Sequence, residues 1–450
     1  METTETSGAA DRARREVPAP GGAESIAAAR AFARGGVLAA LEALRDTLGD
    51  VFQLPLPGFS GIMLAGPEAA RFVLTESREG LLWRAEQDPV TRLLRRGMLV
   101  TDGDEHDALR HIIAPVLHKR LFESYARAVG TSVDRVTARW GDGEHVPVLE
   151  DMRRIALLSL MGALYDEDFA PHLRDLWPDI ERAIRFISPG PWLIWPSIPR
   201  PGYRRAIERL DRYFLDLIAR RRATPGDAGD IVSALIAAGL SDELIRDQLL
   251  TMFIAGHDTS AALLAWSLAL LARHPAMLAT LVAEIDALLG SEEPAYLRLG
   301  QAPYLDRVIK EALRLYPPIH LGSRIAATDL VFQQIPIPAG TRVLYSIYLT
   351  HRDRRFWRDP EQFAPDRFLP DGAAARPAYA YIPFGGGPRN CIGAAFAQWE
   401  AKLALARLLQ RFSFQATGGA LRARMRATLE PHPDMRVAVY RRQSTRTSGV

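Results

Sequence analysis

Cys391 is the single cysteine of the chain and lies in Phe384-Gly385-Gly386-Gly387-Pro388-Arg389-Asn390-Cys391-Ile392-Gly393. A lone thiol forms no internal disulfide, which leaves filler, nucleophile or metal ligand. Three consecutive glycines let the backbone fold tightly and bring N–H groups near the sulfur. A helix expected from about Ile392 points its positive end at that sulfur and favours the thiolate. Such a thiolate suits soft ligation of iron. A phosphate-cradling loop would end in Gly-Lys-Ser/Thr, and Arg-Asn-Cys stands there instead. The spacing also argues against a merely buried cysteine after a turn.

A second group is Ala255-Gly256-His257-Asp258-Thr259, inside the apolar run 249–272. Glycine inside a helix costs roughly 1 kcal/mol relative to alanine, so it needs a reason, and close approach of a ligand to the backbone is one. Thr259 can donate to a carbonyl one turn earlier, near Ala255, and Asp258 supplies an acid. His257 reads as a histidine with a local partner, without a catalytic role. Glu311 and Arg314, three apart, share a helix face; alone, such a pair is a surface ion pair worth under ~1 kcal/mol. His106 and Arg110, four apart, and Arg324 after Gly322-Ser323 would singly be ordinary solvated bases.

In this order these groups resemble the motifs of the cytochrome P450 family, over roughly residues 26–439. The resemblance implies haem b with Cys391 as axial iron ligand, Phe384 packed by the sulfur and Gly393 closing the loop. It implies that Ala255 and Gly256 border the haem, and that Asp258 and Thr259 deliver protons for dioxygen activation. His106, Arg110, Arg324 and Arg389 match propionate partners; two buried carboxylates need such groups. Glu311 and Arg314 are expected to lock with Arg367, in Phe363-Ala364-Pro365-Asp366-Arg367-Phe368, behind the cysteine loop. The implied activity is a monooxygenase that inserts one atom of O2 into an apolar organic substrate, by hydroxylation or epoxidation.

Nothing after Phe412 reads as a flavin or iron–sulfur domain. Electrons, ultimately from NAD(P)H, are therefore expected from a separate ferredoxin or flavodoxin-type partner, docking near Arg110, Lys119 and Arg120. Phe253, Ala255, Ile319, His320, Leu321 and Leu429 are candidates for the substrate pocket. The stretch 192–195, bounded by Trp192 and Trp195, is a candidate lid, a membrane-touching patch or a turn packed on the core. A terpenoid, polyketide or fatty acyl compound of secondary metabolism is the expected substrate. The rivals are a peroxide-driven, isomerising or coupling haem-thiolate enzyme and a non-catalytic haem sensor.

The elements that must position these residues are mostly helical. The spacing predicts helices over 26–48, 106–128 (divided at Pro115), 180–187, 204–222, 241 to His274-Pro275, and 304–316. Ser241 is the expected N-cap of the long one, which at ~1.5 Å per residue would cross a whole domain. Short strands are expected within 49–66, 330–337 and 342–348. The fold class is mainly α with a small β portion: one P450 domain over 21–442, its long central helix over the haem. Disordered or flexible tails are expected at 1–20 and 443–450.

With 450 residues and 48% hydrophobic content the chain can bury a large core. Its 56 basic and 53 acidic residues nearly balance, and only Lys119, Lys310 and Lys402 are lysines. No basic block interleaves with aromatics, which excludes a nucleic-acid binder. The run 249–272 could be mistaken for a membrane span, but an Asp in lipid is costly, so a core helix is expected. No anchor or secretion signal is read at the N-terminus, which points to a cytoplasmic monomer.

Overall fold

The computed structural model describes residues 15–56, 59–190, 200–224 and 229–442. The segment holding Trp192 and Trp195, the expected C-terminal tail and residues 1–14 lie outside them. Residues 15–20, expected in a disordered tail, are instead held: Arg15 N–H donates to Gln334 O, and Pro18 O accepts from Gln53 N–H.

Ten helices carry the argument: α1 (Gly22–Leu48), α2 (Gly103–Ile113), α3 (Phe122–Thr137), α4 (Val148–Leu164), α5 (Ala170–Ile187), α6 (Tyr203–Ala223), α7 (Asp242–Arg273), α8 (Pro275–Leu289), α9 (Pro303–Leu315) and α10 (Ala394–Arg411). The strands are β1 (Val51–Leu56), β2 (Phe59–Ala65), β3 (Leu81–Leu82), β4 (Glu144–Pro147), β5 (Leu321–Ala326), β6 (Leu330–Phe332), β7 (Ile335–Ile337), β8 (Arg342–Ser346), β9 (Phe412–Ala416), β10 (Ala423–Met425), β11 (Leu429–Pro431) and β12 (Arg436–Arg441).

One sheet has the order β1-β2-β8-β5-β3; only β2 and β8 run parallel, with Ile62 opposite Val343. A second sheet places β12 between β4 and β9, and β6–β7 and β10–β11 are hairpins.

Pro115 divides the amphipathic run as expected. α2 stops at Ile113, single 3-10 turns cover Ala114–Leu117 and Lys119–Leu121, and α3 begins at Phe122. A proline ring cannot follow α-helical backbone without clashing one turn back.

α7 is the axis of the helical part. Ser241 Oγ accepts from Leu244 N–H at its start, Asp242 and Glu243 occupy the first turn, and His274-Pro275 ends it. Its 32 residues span about 48 Å. Between Asp247 and Ala272 every residue is buried except Ala255, Gly256 and Thr259. By composition α7 could cross a membrane, but 83% of its apolar stretch is buried inside the protein, the mark of a core helix. α3, α4, α9 and α10 share one apolar core with it, containing Trp140, Phe122 and Phe214. Each such side chain contributes about 1.5–3 kcal/mol by leaving water.

Candidate active site

The cysteine loop is shaped by two left-handed glycines. Gly385 (φ 72°) and Gly387 (φ 64°) adopt backbone that other residues avoid. A Cβ on Gly387 would also sit 2.2 Å from Leu74 O. The loop closes on itself where Phe384 O accepts Cys391 N–H (2.9 Å), and Asn390 N–H donates to Gly387 O (3.1 Å). Phe384 is half-buried and packs on the main core. Gly393 caps α10, and a Cβ there would lie 3.9 Å from Cys391 Sγ. Cys391 keeps exposed surface, yet burial around its sulfur pushes the thiol up, outweighing the Gly393 N–H and the Arg110 charge. The Gly393 N–H at the helix start favours the thiolate, the direction expected from the sequence, but burial of the sulfur outweighs it. A metal cation bound at the sulfur would favour the deprotonated form.

Across α7, the open face consists of Ala255, Gly256 and Thr259, one turn apart on a helix otherwise closed on all sides. Thr259 Oγ1 donates to Ala255 O (2.8 Å). A Cβ on Gly256 would meet Leu160 of α4 at 2.9 Å. Its missing side chain therefore lets α4 approach α7, a different reason from the close ligand approach expected. Asp258 sits beside that face and is 4% exposed. Its Oδ1 accepts from Arg153 Nε (3.0 Å) and Nη2 (2.9 Å), and its Oδ2 from Thr428 Oγ1 (2.9 Å). Burial would raise its carboxyl, but the Arg153 charge and these bonds hold it below the usual range. Asp258 is thus a clamped carboxylate, not a free acid. Arg153 shares its guanidinium with Glu430, which is fully buried and also bound by Arg424 Nε (2.7 Å). His257 is buried; its Nδ1 bonds Phe253 O (2.6 Å), the local partner expected.

A cationic cradle forms around Trp83. The guanidinium of Arg324 lies 3.7 Å from its ring centre and that of Arg389 4.6 Å. Arg389 also binds Thr101 O (2.7 Å) and Asp102 (3.1 Å), whereas Arg324 has a backbone carbonyl, Ser323 O at 2.8 Å, and no carboxylate among the described residues. Neighbouring Arg84 has an unpartnered, buried Nε, and so does the Trp83 indole. Burial, with the nearby cations, pushes Arg84 and Arg389 down to about 10 each. Buried donors and like charges left unmatched call for an anion. His106 is buried with Nδ1 on Asp107 (2.7 Å), and burial pulls it down. Arg110 leaves the cradle for the loop, binding Asn390 O (2.9 Å) and Oδ1 (2.8 Å).

Behind the loop, Glu311 and Arg314 are fully buried and doubly bonded (2.7 and 2.8 Å). Arg367 Nε donates to Glu311 Oε1 (3.3 Å), and Arg314 also donates to Pro360 O, Gln362 O and His351 O. The three residues named from the sequence do converge, and the pair is no surface ion pair.

Pocket assignments divide. Ala255 is half-buried, Leu321 is half-buried against the core of Leu41, Leu44 and Phe52, and Ile319 is 42% exposed, so each keeps some open surface. His320, between them on extended backbone, turns inward and is buried. Phe253 and Leu429 have no exposure. Phe253 is packed against Phe169 and Phe214 on another side of α7, and Leu429 is fixed by backbone bonds to Pro318 O and from Trp266 Nε1. His320, Phe253 and Leu429 are therefore removed from the pocket.

Trp83, Arg84, Arg153, Thr428, Glu430 and His351 escaped the sequence reading. The partners of Trp83, Arg153, Thr428 and His351 lie far away in the chain, so local spacing carries no trace of them.

A single sulfur is offered to a metal, and no cluster of three or more His, Cys, Asp or Glu side chains exists among the described residues. A porphyrin would bring its remaining donors itself, and the cradle would supply cations for its carboxylates. The residues present thus fit a haem-thiolate oxidoreductase. The sequence model of the family described as Cytochrome P450 matches residues 28–433, and the chain belongs to that family. It is 31% identical to cyclooctatin synthase of Streptomyces melanosporofaciens over 405 residues, covering 86% of each chain. Pentalenene oxygenase of Streptomyces avermitilis is 30% identical, also over 86% of each. Cyclooctat-9-en-7-ol 5-monooxygenase of S. melanosporofaciens is 31% identical over 82% of this chain and 84% of its own. Among solved structures, the cytochrome P450DA haem domain superposes with a TM-score of 0.83 at 28% identity, covering 96% of this chain and 97% of the other. A cyanobacterial member bound to retinoic acid gives 0.82 at 29%, over 89% and 94%. The protein is an oxidoreductase of the monooxygenase type.

Proposed function

We propose that this monooxygenase adds one oxygen atom from O2 to an apolar polycyclic terpenoid hydrocarbon or its alcohol. The carrying observation is the open surface left at Ala255 and Thr259, one turn apart on an otherwise nearly sealed helix. One small side chain and one hydroxyl leave room for a bulky apolar molecule and place one proton-handling atom beside it. The names of three relatives, which concern cyclooctatin, pentalenene and cyclooctat-9-en-7-ol, support a terpenoid skeleton.

Cys391 would hold haem iron, with Arg324, Arg389 and Arg84 pairing its carboxylates. Bound haem would supply the centre at which O2 is reduced by two electrons and two protons. The chain's own part is proton handling and water exclusion. Thr259 Oγ1 holds and passes a proton on the open face. Asp258, kept charged by Arg153 and bonded to Thr428, fixes the turn that carries Thr259. Ile319 and Leu321, which keep apolar surface uncovered, would wall the space and keep water out until substrate fills it. Electrons enter from a separate ferredoxin or flavodoxin-type donor, a reading supported by exposed His118, Lys119 and Arg120 in the turn that follows the helix carrying Arg110.

The test is spectroscopic. The purified holoenzyme, reduced under carbon monoxide, is expected to give the red-shifted Soret band of thiolate ligation, and Cys391→Ser to abolish it. A terpenoid hydrocarbon is expected to shift the ferric spin state, where a linear fatty acid does not. A wild-type protein without the thiolate band overturns the assignment.

A further inference from the structure

Two residues stand directly before the cysteine loop, and both are tied to α9. Tyr381 OH donates to Lys310 O at 3.0 Å. Ile382 N–H donates to His351 Nε2 at 2.8 Å. His351 is fully buried and grips α9 twice more: its Nδ1 lies 3.3 Å from Arg314 O, and its carbonyl accepts from Arg314 Nη1 at 3.0 Å. Because Nε2 accepts a backbone N–H, the ring proton sits on Nδ1, where Arg314 O receives it. Burial and the Arg314 charge push this imidazole down to about 3, so it stays neutral and the tautomer is fixed.

On the loop side the bonds continue without a gap. Ile382 O accepts Gly385 N–H (3.0 Å), and Phe384 O accepts Cys391 N–H (2.9 Å). A hydrogen-bonded chain therefore runs from Glu311 and Arg314 through His351 and Ile382 to the residue bearing the sulfur.

We propose that His351 is a positioning residue for Cys391: a two-ended strut that transmits the Glu311–Arg314 lock to the loop and sets where the sulfur stands. This rests on the haem-thiolate reading above. A side chain with a single polar atom at 351 could satisfy Ile382 or Arg314, but not both. The ring also stacks on Tyr381 (centroids 5.3 Å, planes 25° apart), which braces the second tie to α9. Groups that orient a metal ligand from behind alter metal binding by roughly tenfold or more when removed.

His351→Phe keeps the ring and its stacking but deletes both hydrogen bonds, whereas His351→Gln restores one donor and one acceptor. In the holoenzyme, H351F is expected to lose haem to an acceptor protein roughly tenfold faster. Its reduced carbon monoxide complex is expected to move from the thiolate band to the thiol band, and its iron potential to shift. H351Q is expected to recover most of each change. A folded H351F with wild-type band, potential and haem-loss rate overturns the strut. Should H351F not accumulate, hydrogen exchange at the Ile382 amide of the wild type decides. Protection supports the strut, and free exchange overturns it. A wild type lacking the thiolate band overturns the underlying reading instead, so the two failures are separable.

Discussion

At the residue scale, Thr259 and Asp258 divide a task that their adjacency suggests they share. Thr259 has its hydroxyl on the open face, tied to Ala255 O at 2.8 Å. Asp258 has both oxygens occupied, by Arg153 and by Thr428. Only the hydroxyl is free to meet substrate-side water, so Thr259→Ala should separate electron flow from product formation. The expected outcome is about tenfold less product per electron pair, with the missing electrons recovered as hydrogen peroxide. NAD(P)H consumption, product and peroxide measured together check it, and unchanged coupling would favour the peroxide-driven or isomerising reading. The motif Ala255 to Thr259 was legible because its residues are neighbours. What fixes the charge of Asp258 was not, since Arg153 lies 105 positions away and Thr428 170. Cys391 was legible for its identity, but its raised thiol was not, because burial depends on what the fold folds around it.

At the element scale, α7 shows where sequence patterning stops informing. Its ends were readable from Ser241 and from His274-Pro275. Its facing was not: a helix buried all round has no polar stripe to set its phase, which is why Phe253 was placed on the wrong side. Gly256 was likewise assigned to a ligand although its space belongs to α4. The contact of α7 with α10 contains a further buried group: Ser260 Oγ donates to Glu400 Oε2 (2.7 Å), while Glu400 Oε1 has no partner. Burial pushes this carboxyl up to about 8. In the unfolded chain the group ionises near its ordinary value, so between roughly pH 5 and 8 the folded state holds a proton that the unfolded state has lost. Stability must therefore fall as pH rises through that window, by up to about 1.4 kcal/mol per unit, and level off above it. Glu400→Gln should flatten this slope and be the more stable form near pH 8. Urea unfolding of the holoenzyme at pH 5, 6.5 and 8 checks it; parallel slopes for the two proteins would show that Glu400 does not titrate in this range.

At the scale of the whole molecule, a charge difference of only three over 109 charged residues means that overall charge recruits no partner. Local arrangement must do so. Most carboxylates around the loop are already engaged by arginines, as in Arg389 with Asp102 and Arg367 with Glu311. The 3-10 turn Lys119–Leu121 differs: His118, Lys119 and Arg120 are exposed, and neither cation has a carboxylate partner among the described residues. That turn exists because Pro115 interrupts the helix, so a backbone constraint leaves the charges projecting beside the end of α2. Arg110, on that helix, reaches Asn390, the neighbour of Cys391, which joins this face to the sulfur by one side chain. An acidic electron donor docking there would stand close behind the iron ligand, and its attraction would weaken with salt. Lys119→Glu combined with Arg120→Glu reverses two charges far from the open face of α7. The expected result is an electron-transfer rate lowered by roughly tenfold at low ionic strength, with a shallower salt dependence and unaltered substrate-induced spin shift. Stopped-flow reduction by a ferredoxin across a salt series measures all three. An unchanged rate and salt slope would place the donor on another face, leaving the cysteine loop and α7 as they are.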